Sequence, residues 1–267
     1  MANQKDGRIT AHENEIRVLR GLHRFGWLRT RDLAVLVWQR WASNPAGEPS
    51  LKPATPTASG LRMAQRTLGR LRGKRFVLSS RAPDGSLIYC LAEAGARTLR
   101  QIGVPAVTGK DLLRTFSPGH FRHRCISTEI AVAAIVAGYR VSTEREIAQG
   151  AWLGGEPGIK GKKPDVLIRA GDGTYWWVEV EKSRKNKKDY VALLKWLGVA
   201  AQDAFRPAGP VLLGEKARWG KVVFICTAAF RAKLTRDLMA SGWKKAHIQA
   251  FLLFETCLYR FEEILFS

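Results

Sequence analysis

Acidic side chains are scarce in this chain. Only 23 Asp and Glu stand against 44 Lys and Arg over 267 residues, a formal net charge of +21. Such an imbalance favours a polyanionic partner, held through phosphate contacts and counterion release. A ribosome-like or merely basic protein would show the same excess, so charge alone does not choose. The shortage is deepest early: residues 1–110 hold 19 Lys/Arg and 7 Asp/Glu. Cysteine is also sparse. Cys90, Cys125, Cys226 and Cys257 form no C-x-x-C pair, which argues against a zinc module or a disulfide scaffold and fits a reducing compartment. No apolar run approaches the ~18–20 residues that span a bilayer, so no membrane partner is expected. The polar opening MANQKDGRITAHENE does not have the form of a signal peptide, and a cytoplasmic location is expected. An apolar content of 46% is ordinary for a globular chain, and the length suffices for one large domain or two small ones.

The first part reads as helix, helix, basic helix, hairpin. Thr10-Ala11-His12-Glu13 has the form of a capping box, followed by Ile16, Leu19 and Leu22 on one face and a stop at Gly26. A second helix is predicted from Thr30, with Leu33, Leu36 and Val37 inward. Residues 42–60, rich in Pro, Ser and Gly, read as a mobile insertion. In the third helix Leu61, Ala64, Leu68 and Leu71 form an apolar stripe, while Arg62, Arg66 and Arg70, with Gln65 beside them, form a basic one. Two β-prone runs then flank Ala82-Pro83-Asp84-Gly85, a turn in which Pro presets φ and Gly accepts positive φ. This is the order of a winged helix-turn-helix over residues 8–105. Its third helix would enter the major groove of double-stranded DNA, with Arg81 of the hairpin beside the backbone. A solvated helix face is the bland alternative for the arginines.

The second part, residues 118–267, reads as an α/β (α+β) domain of order αβββαβαβ. The expected elements are a helix over HFRHRCISTEIAVAAIVAGY carrying Glu129, strands RVSTEREIA, PDVLIRA and TYWWVEVEK, helix KKDYVALLKWLGVAA, strand KVVFICTA, helix RAKLTRDLMASG and strand IQAFLLFE. Asp172-Gly173 supplies the turn between the second and third strands. Side chains alternate along a strand, so Glu179 and Glu181 share a face with Tyr175 and Trp177. Asp165 opens the neighbouring strand and can join them. Three close carboxylates repel one another unless a cation sits among them, and Mg²⁺ (or Mn²⁺) accepts such oxygens. The alternative is the exposed polar face of a hairpin.

The αβββαβ order with Pro164-Asp165 and Glu179-Val180-Glu181 resembles the PD-(D/E)xK nuclease superfamily, the restriction-endonuclease fold. Joined to an N-terminal winged helix, it resembles the replication-relaxation family, which includes MobC-type relaxases of mobilisable elements. The resemblance implies Asp165 and Glu179 as metal ligands with help from Glu181, and Glu129 as a supporting acid. Glu181 stands where the family pattern usually has Lys. Lys182 falls one residue late, and Lys185 or Lys188 would supply the positive charge instead. The run Lys182–Lys188, including Lys185, Lys187 and Lys188, suits the phosphates of the cut strand. The resemblance therefore implies a metal-dependent endonuclease or nickase acting in transfer or replication of a mobile element. A DNA-binding accessory factor with a lapsed site, working beside relaxosome or replication proteins, is the second reading, and a dimerising repressor the third. His120 and His123 lack a third ligand and read as capping or packing. Tyr190 reads as a helix-face aromatic.

Overall fold

The computed structural model describes residues 7–114, 116–181, 186–214 and 216–259. They form a mixed α/β protein that divides into two units. The first holds residues 7–41 and Pro53–Val132, and the second Ala42–Lys52 and residues 133–259. No described helix is long and apolar enough to cross a membrane.

In the first unit, α1 (Gly7–Phe25) stops at Gly26, whose φ of 82° lets its N–H return to the Leu22 carbonyl at 2.8 Å. The helix already runs from Gly7, so Thr10 and Glu13 lie inside it and do not form the predicted start. A three-residue strand, β1 (Trp27–Arg29), precedes α2 (Thr30–Trp38). Thr57 caps α3 (Ala58–Gly73), its hydroxyl accepting the Gly60 N–H at 3.0 Å. The hairpin β2 (Val77–Arg81) and β3 (Leu87–Leu91) turns through Ala82–Gly85, with Gly85 at φ 78° and its N–H on the Ala82 carbonyl. The antiparallel sheet has the order β1-β3-β2. Leu19, Leu22, Leu33, Leu68, Leu71 and Ile88 are buried.

Three further helices follow: α4 (Glu93–Gln101), α5 (Lys110–Arg114) and α6 (Pro118–Val136). Phe121 and Cys125 of α6 pack with Trp27, Ala82, Ile88 and Cys90, and the Trp27 and Phe121 rings stack at 5.8 Å. The first unit therefore includes α6 as far as Val132.

The second unit contains β4 (Arg140–Ser142), α7 (Glu144–Ala148), β5 (Val166–Arg169), β6 (Thr174–Glu181), α8 (Lys187–Ala204), β7 (Arg218–Cys226), α9 (Ala228–Ala240), α10 (Lys245–Phe251) and β8 (Leu252–Glu255). The sheet order is β4-β5-β6-β7-β8. Pairing is antiparallel from β4 to β6 and parallel from β6 to β8. Two predicted strands are shorter than expected. After Ser142 a capping box between Thr143 and Glu146 starts α7, and residues 245–251 are helical before β8 begins. The core on one sheet face gathers Trp177, Trp196, Leu197, Phe224, Leu234 and Phe251.

The predicted mobile insertion is tied down over Ala42–Lys52. The Ala42 N–H meets the Val136 carbonyl at 2.8 Å, and the Tyr139 hydroxyl donates to the Ala46 or Gly47 carbonyl at 3.0 and 3.1 Å. Tyr259 donates to the Leu51 carbonyl at 2.7 Å. A Cβ on Gly138 would press on the Ala42 carbonyl, which brings the two backbones close.

Candidate functional site

Strand β6 places its charges by simple alternation. Trp177, Glu179 and Glu181 fall on the face that packs against α8, and all three are buried. Glu179 is only 4% exposed, and both of its oxygens are engaged. Trp177 donates its indole N–H to Oε1, and the Lys162 ammonium donates to Oε2 at 2.7 Å. Asp165 lies just before β5, where Val166 pairs with Val178. Its backbone N–H reaches the Val178 carbonyl at 3.0 Å, and its Oδ2 accepts the Val180 N–H at 2.7 Å. The carboxylate thus closes the end of the β5–β6 ladder.

Lys162 is the residue that the spacing along β6 did not reveal. It closes a two-residue hairpin in which Ile159 and Lys162 exchange backbone hydrogen bonds of 2.9 and 3.1 Å. Lys160 and Gly161 sit at φ 51° and 77°, the positive-φ pair of a type I′ turn. The Gly-rich loop GGEPGIKGKK was the available signal, but sequence spacing does not show that this loop folds back onto Glu179.

Burial raises the Glu179 carboxyl above the usual range. Lys162 and Trp177 pull it back, the charge of Asp165 pushes it further, and the outcome is about 7. Glu179 therefore changes protonation near neutrality while touching an ammonium group, a setting suited to proton transfer. Glu181 pairs in register with Cys226 on β7. Burial, followed by the charge of Glu181, pushes the Cys226 thiol up to about 12.

Of the three expected carboxylates, the structure couples Asp165 with Glu179. Among the described residues no group of three or more acid, His or Cys side chains gathers closely enough to hold a metal. The pair alone fits a hard cation, because Mg²⁺ binds through one or two carboxylates and keeps several waters. A cation would also relieve the Asp165 repulsion that adds to burial in raising Glu179.

Glu129 is placed in the first unit. The Arg29 guanidinium donates to it at 2.7 Å while gripping both oxygens of Asp32 at 2.8 and 2.9 Å. Burial works against the Arg29 charge, but Asp32 and Glu129 outweigh it and raise the guanidinium above its ordinary range. Lys182 and Lys185 lie outside the described residues. Lys187 and Lys188 are exposed at the start of α8, which Asn186 caps by accepting the Asp189 N–H at 2.8 Å. Tyr190 donates to Asp237 at 2.9 Å beside Lys233, and His120 meets the Ser117 hydroxyl at 3.0 Å.

On α3, Arg62, Gln65 and Arg66 are exposed, as is Arg81 at the end of β2. Arg70 differs from its neighbours. Glu15 of α1 takes its Nε–H at 3.2 Å and Lys74 at 2.9 Å, so the third arginine of the stripe is turned toward its own fold. No family model, curated protein or solved structure matches the chain.

Proposed function

We propose that this chain binds double-stranded DNA and cleaves it as a metal-dependent endonuclease or nickase in transfer or replication of a mobile element. In this reading the first unit is a winged helix presenting Arg62, Gln65 and Arg66, and the second is a PD-(D/E)xK-like nuclease domain. The observation that carries it is the pairing of Asp165 with the buried Glu179 across the β5–β6 hairpin, with Lys162 on the same carboxylate. The β5–β6 hairpin followed by α8 and the parallel strand β7 supports the reading. When bound, Mg²⁺ or Mn²⁺ polarises a phosphoryl oxygen and lowers the pKa of a water ligand. Asp165 and Glu179 would hold the cation. Lys162, already on the Glu179 carboxylate, would offset negative charge gathering on the phosphate.

One observation favours the accessory-factor reading instead. Each carboxylate already has a structural task, Asp165 capping the Val180 N–H and Glu179 neutralising Lys162. Nicking of supercoiled plasmid from the protein's own genetic element separates the two. Asp165→Asn and Glu179→Gln keep the side-chain shape and one accepting oxygen each, and melting curves check that both variants fold before nicking is compared. Metal-dependent nicking that EDTA stops and both variants lose supports the enzyme. Tight, salt-sensitive binding without nicking in all three proteins supports the accessory factor.

A further inference from the structure

We propose that the Ile159–Lys162 hairpin is a phosphate clamp beside the carboxylates, with Lys162 drawn inward to Glu179 and Lys160 turned outward to the phosphodiester backbone of a nucleic acid. The inference rests on the nucleic-acid reading of the second unit and deepens it by naming a substrate contact.

Lys160 is an unusual choice for its position. The first central residue of a type I′ turn needs positive φ, which Asn, Asp or Gly adopt with least strain. Here a lysine holds φ 51°, its side chain is exposed, and no acid pairs with it among the described residues. Asn or Gly at this position would relieve the turn. The lysine's charge at the tip is what remains to be used.

The hairpin is built to hold that tip still. Trp196 of α8 donates its indole N–H to the Ile159 carbonyl at 2.9 Å, and Ile159 itself is buried in the core. Gly158 lies so close to the Lys162 carbonyl that a Cβ there would collide with it. The Lys162 ammonium sits 5.7 Å from the centre of the Trp196 ring and 2.7 Å from Glu179. One short turn therefore carries two cations of different duty. Lys162 faces the acid that the proposed reaction uses, while Lys160 faces solvent, where a strand of phosphates would lie. A fixed cation loses less freedom on binding than one on an untethered loop.

The test uses the full chain, a short labelled DNA duplex and its single strand. Fluorescence anisotropy is recorded from about 50 to 200 mM salt, the range over which phosphate contacts weaken measurably. Lys160→Asn removes the charge and relieves the turn. It is expected to melt at a higher temperature than the wild type and to bind about 3–10-fold more weakly at low salt. The slope of log affinity on log salt should become shallower by about one. Lys160→Arg should keep both affinity and slope. Unchanged binding in Lys160→Asn, alongside weakened binding in an Arg62→Ala/Arg66→Ala protein, overturns the clamp and leaves the DNA reading standing. A lower melting temperature for Lys160→Asn also overturns it, since the lysine would then serve the fold. A wild type that binds neither probe in a salt-sensitive way removes both the clamp and the DNA reading.

Discussion

Arg29 and Glu129 form an ion pair of 2.7 Å in which neither side chain is more than 9% exposed. The pair joins the strand entering α2 to the middle of α6, with Asp32 on the other side of the guanidinium. A single buried cation thus serves two carboxylates, and removing it would strand both. Arg29→Ala is expected to destabilise the protein by roughly 3–5 kcal/mol, the range for breaking a buried pair from one side. Glu129→Gln keeps an oxygen for Arg29 and should be far milder. Thermal melts of the two variants check the order, and equal losses would contradict it.

The raised Glu179 carboxyl makes stability depend on pH in a defined direction. Between the ordinary value of 4.5 and about 7 the folded chain holds a proton at Glu179 that the unfolded chain has released. Stability contributed by this group therefore falls as pH rises through that window and is level above it. The full change is on the order of a few kcal/mol, at 1.36 kcal/mol for each unit of pKa difference. Chemical denaturation at pH 5 to 8 should show the fall in the wild type and a flatter profile in Glu179→Gln.

Arg62, Arg66 and Arg70 share one helix but not one role. Arg62→Ala and Arg66→Ala should leave melting unchanged while each reduces the salt slope of DNA binding by about one. Arg70→Ala removes a half-exposed contact to Glu15. It should change stability by less than about 1 kcal/mol and DNA affinity little. Salt titrations of the three single variants measure the difference.

Tyr139 is predicted to be the clasp of the segment 42–52. Tyr139→Phe removes the hydroxyl that reaches the Ala46 and Gly47 carbonyls and should cost about 1 kcal/mol. Limited proteolysis should cut within residues 42–52 faster in this variant, while cleavage elsewhere keeps its wild-type rate.

The sequence was legible wherever local chemistry decides the outcome. Pro83 and Gly85 set their turn, Asp172-Gly173 set another, and alternation put Trp177 with Glu179. It misled where a pattern has two outlets. Thr10 to Glu13 and Thr143 to Glu146 share one spacing, but only the second has an extended residue at the cap, Thr143 at φ −79° and ψ 160°. Ile248 to Phe251 read as strand as part of the apolar run IQAFLLFE, and a short helix buries Ile248 and Phe251 equally well. β1 was too short for alternation to register. What decides the site itself is long-range. Lys162 finds Glu179 across the chain's own fold, Arg29 finds Glu129 from far along the sequence, and no spacing rule anticipates either meeting.

The clasped segment also orders events in time. Ala42–Lys52 leaves the ribosome early, yet one of its partners, Tyr259, follows Leu51 by 208 residues. At ~5–20 residues per second, translation takes on the order of 10–40 s to supply that partner. During this interval the stretch Ala42–Lys52 waits without its Tyr259 hydrogen bond, and α3 can already be complete. No single cut separates the two units either, because each draws on two stretches of chain. A nascent chain halted before residue 259 would carry a finished α3 while Leu51 still lacked its Tyr259 partner.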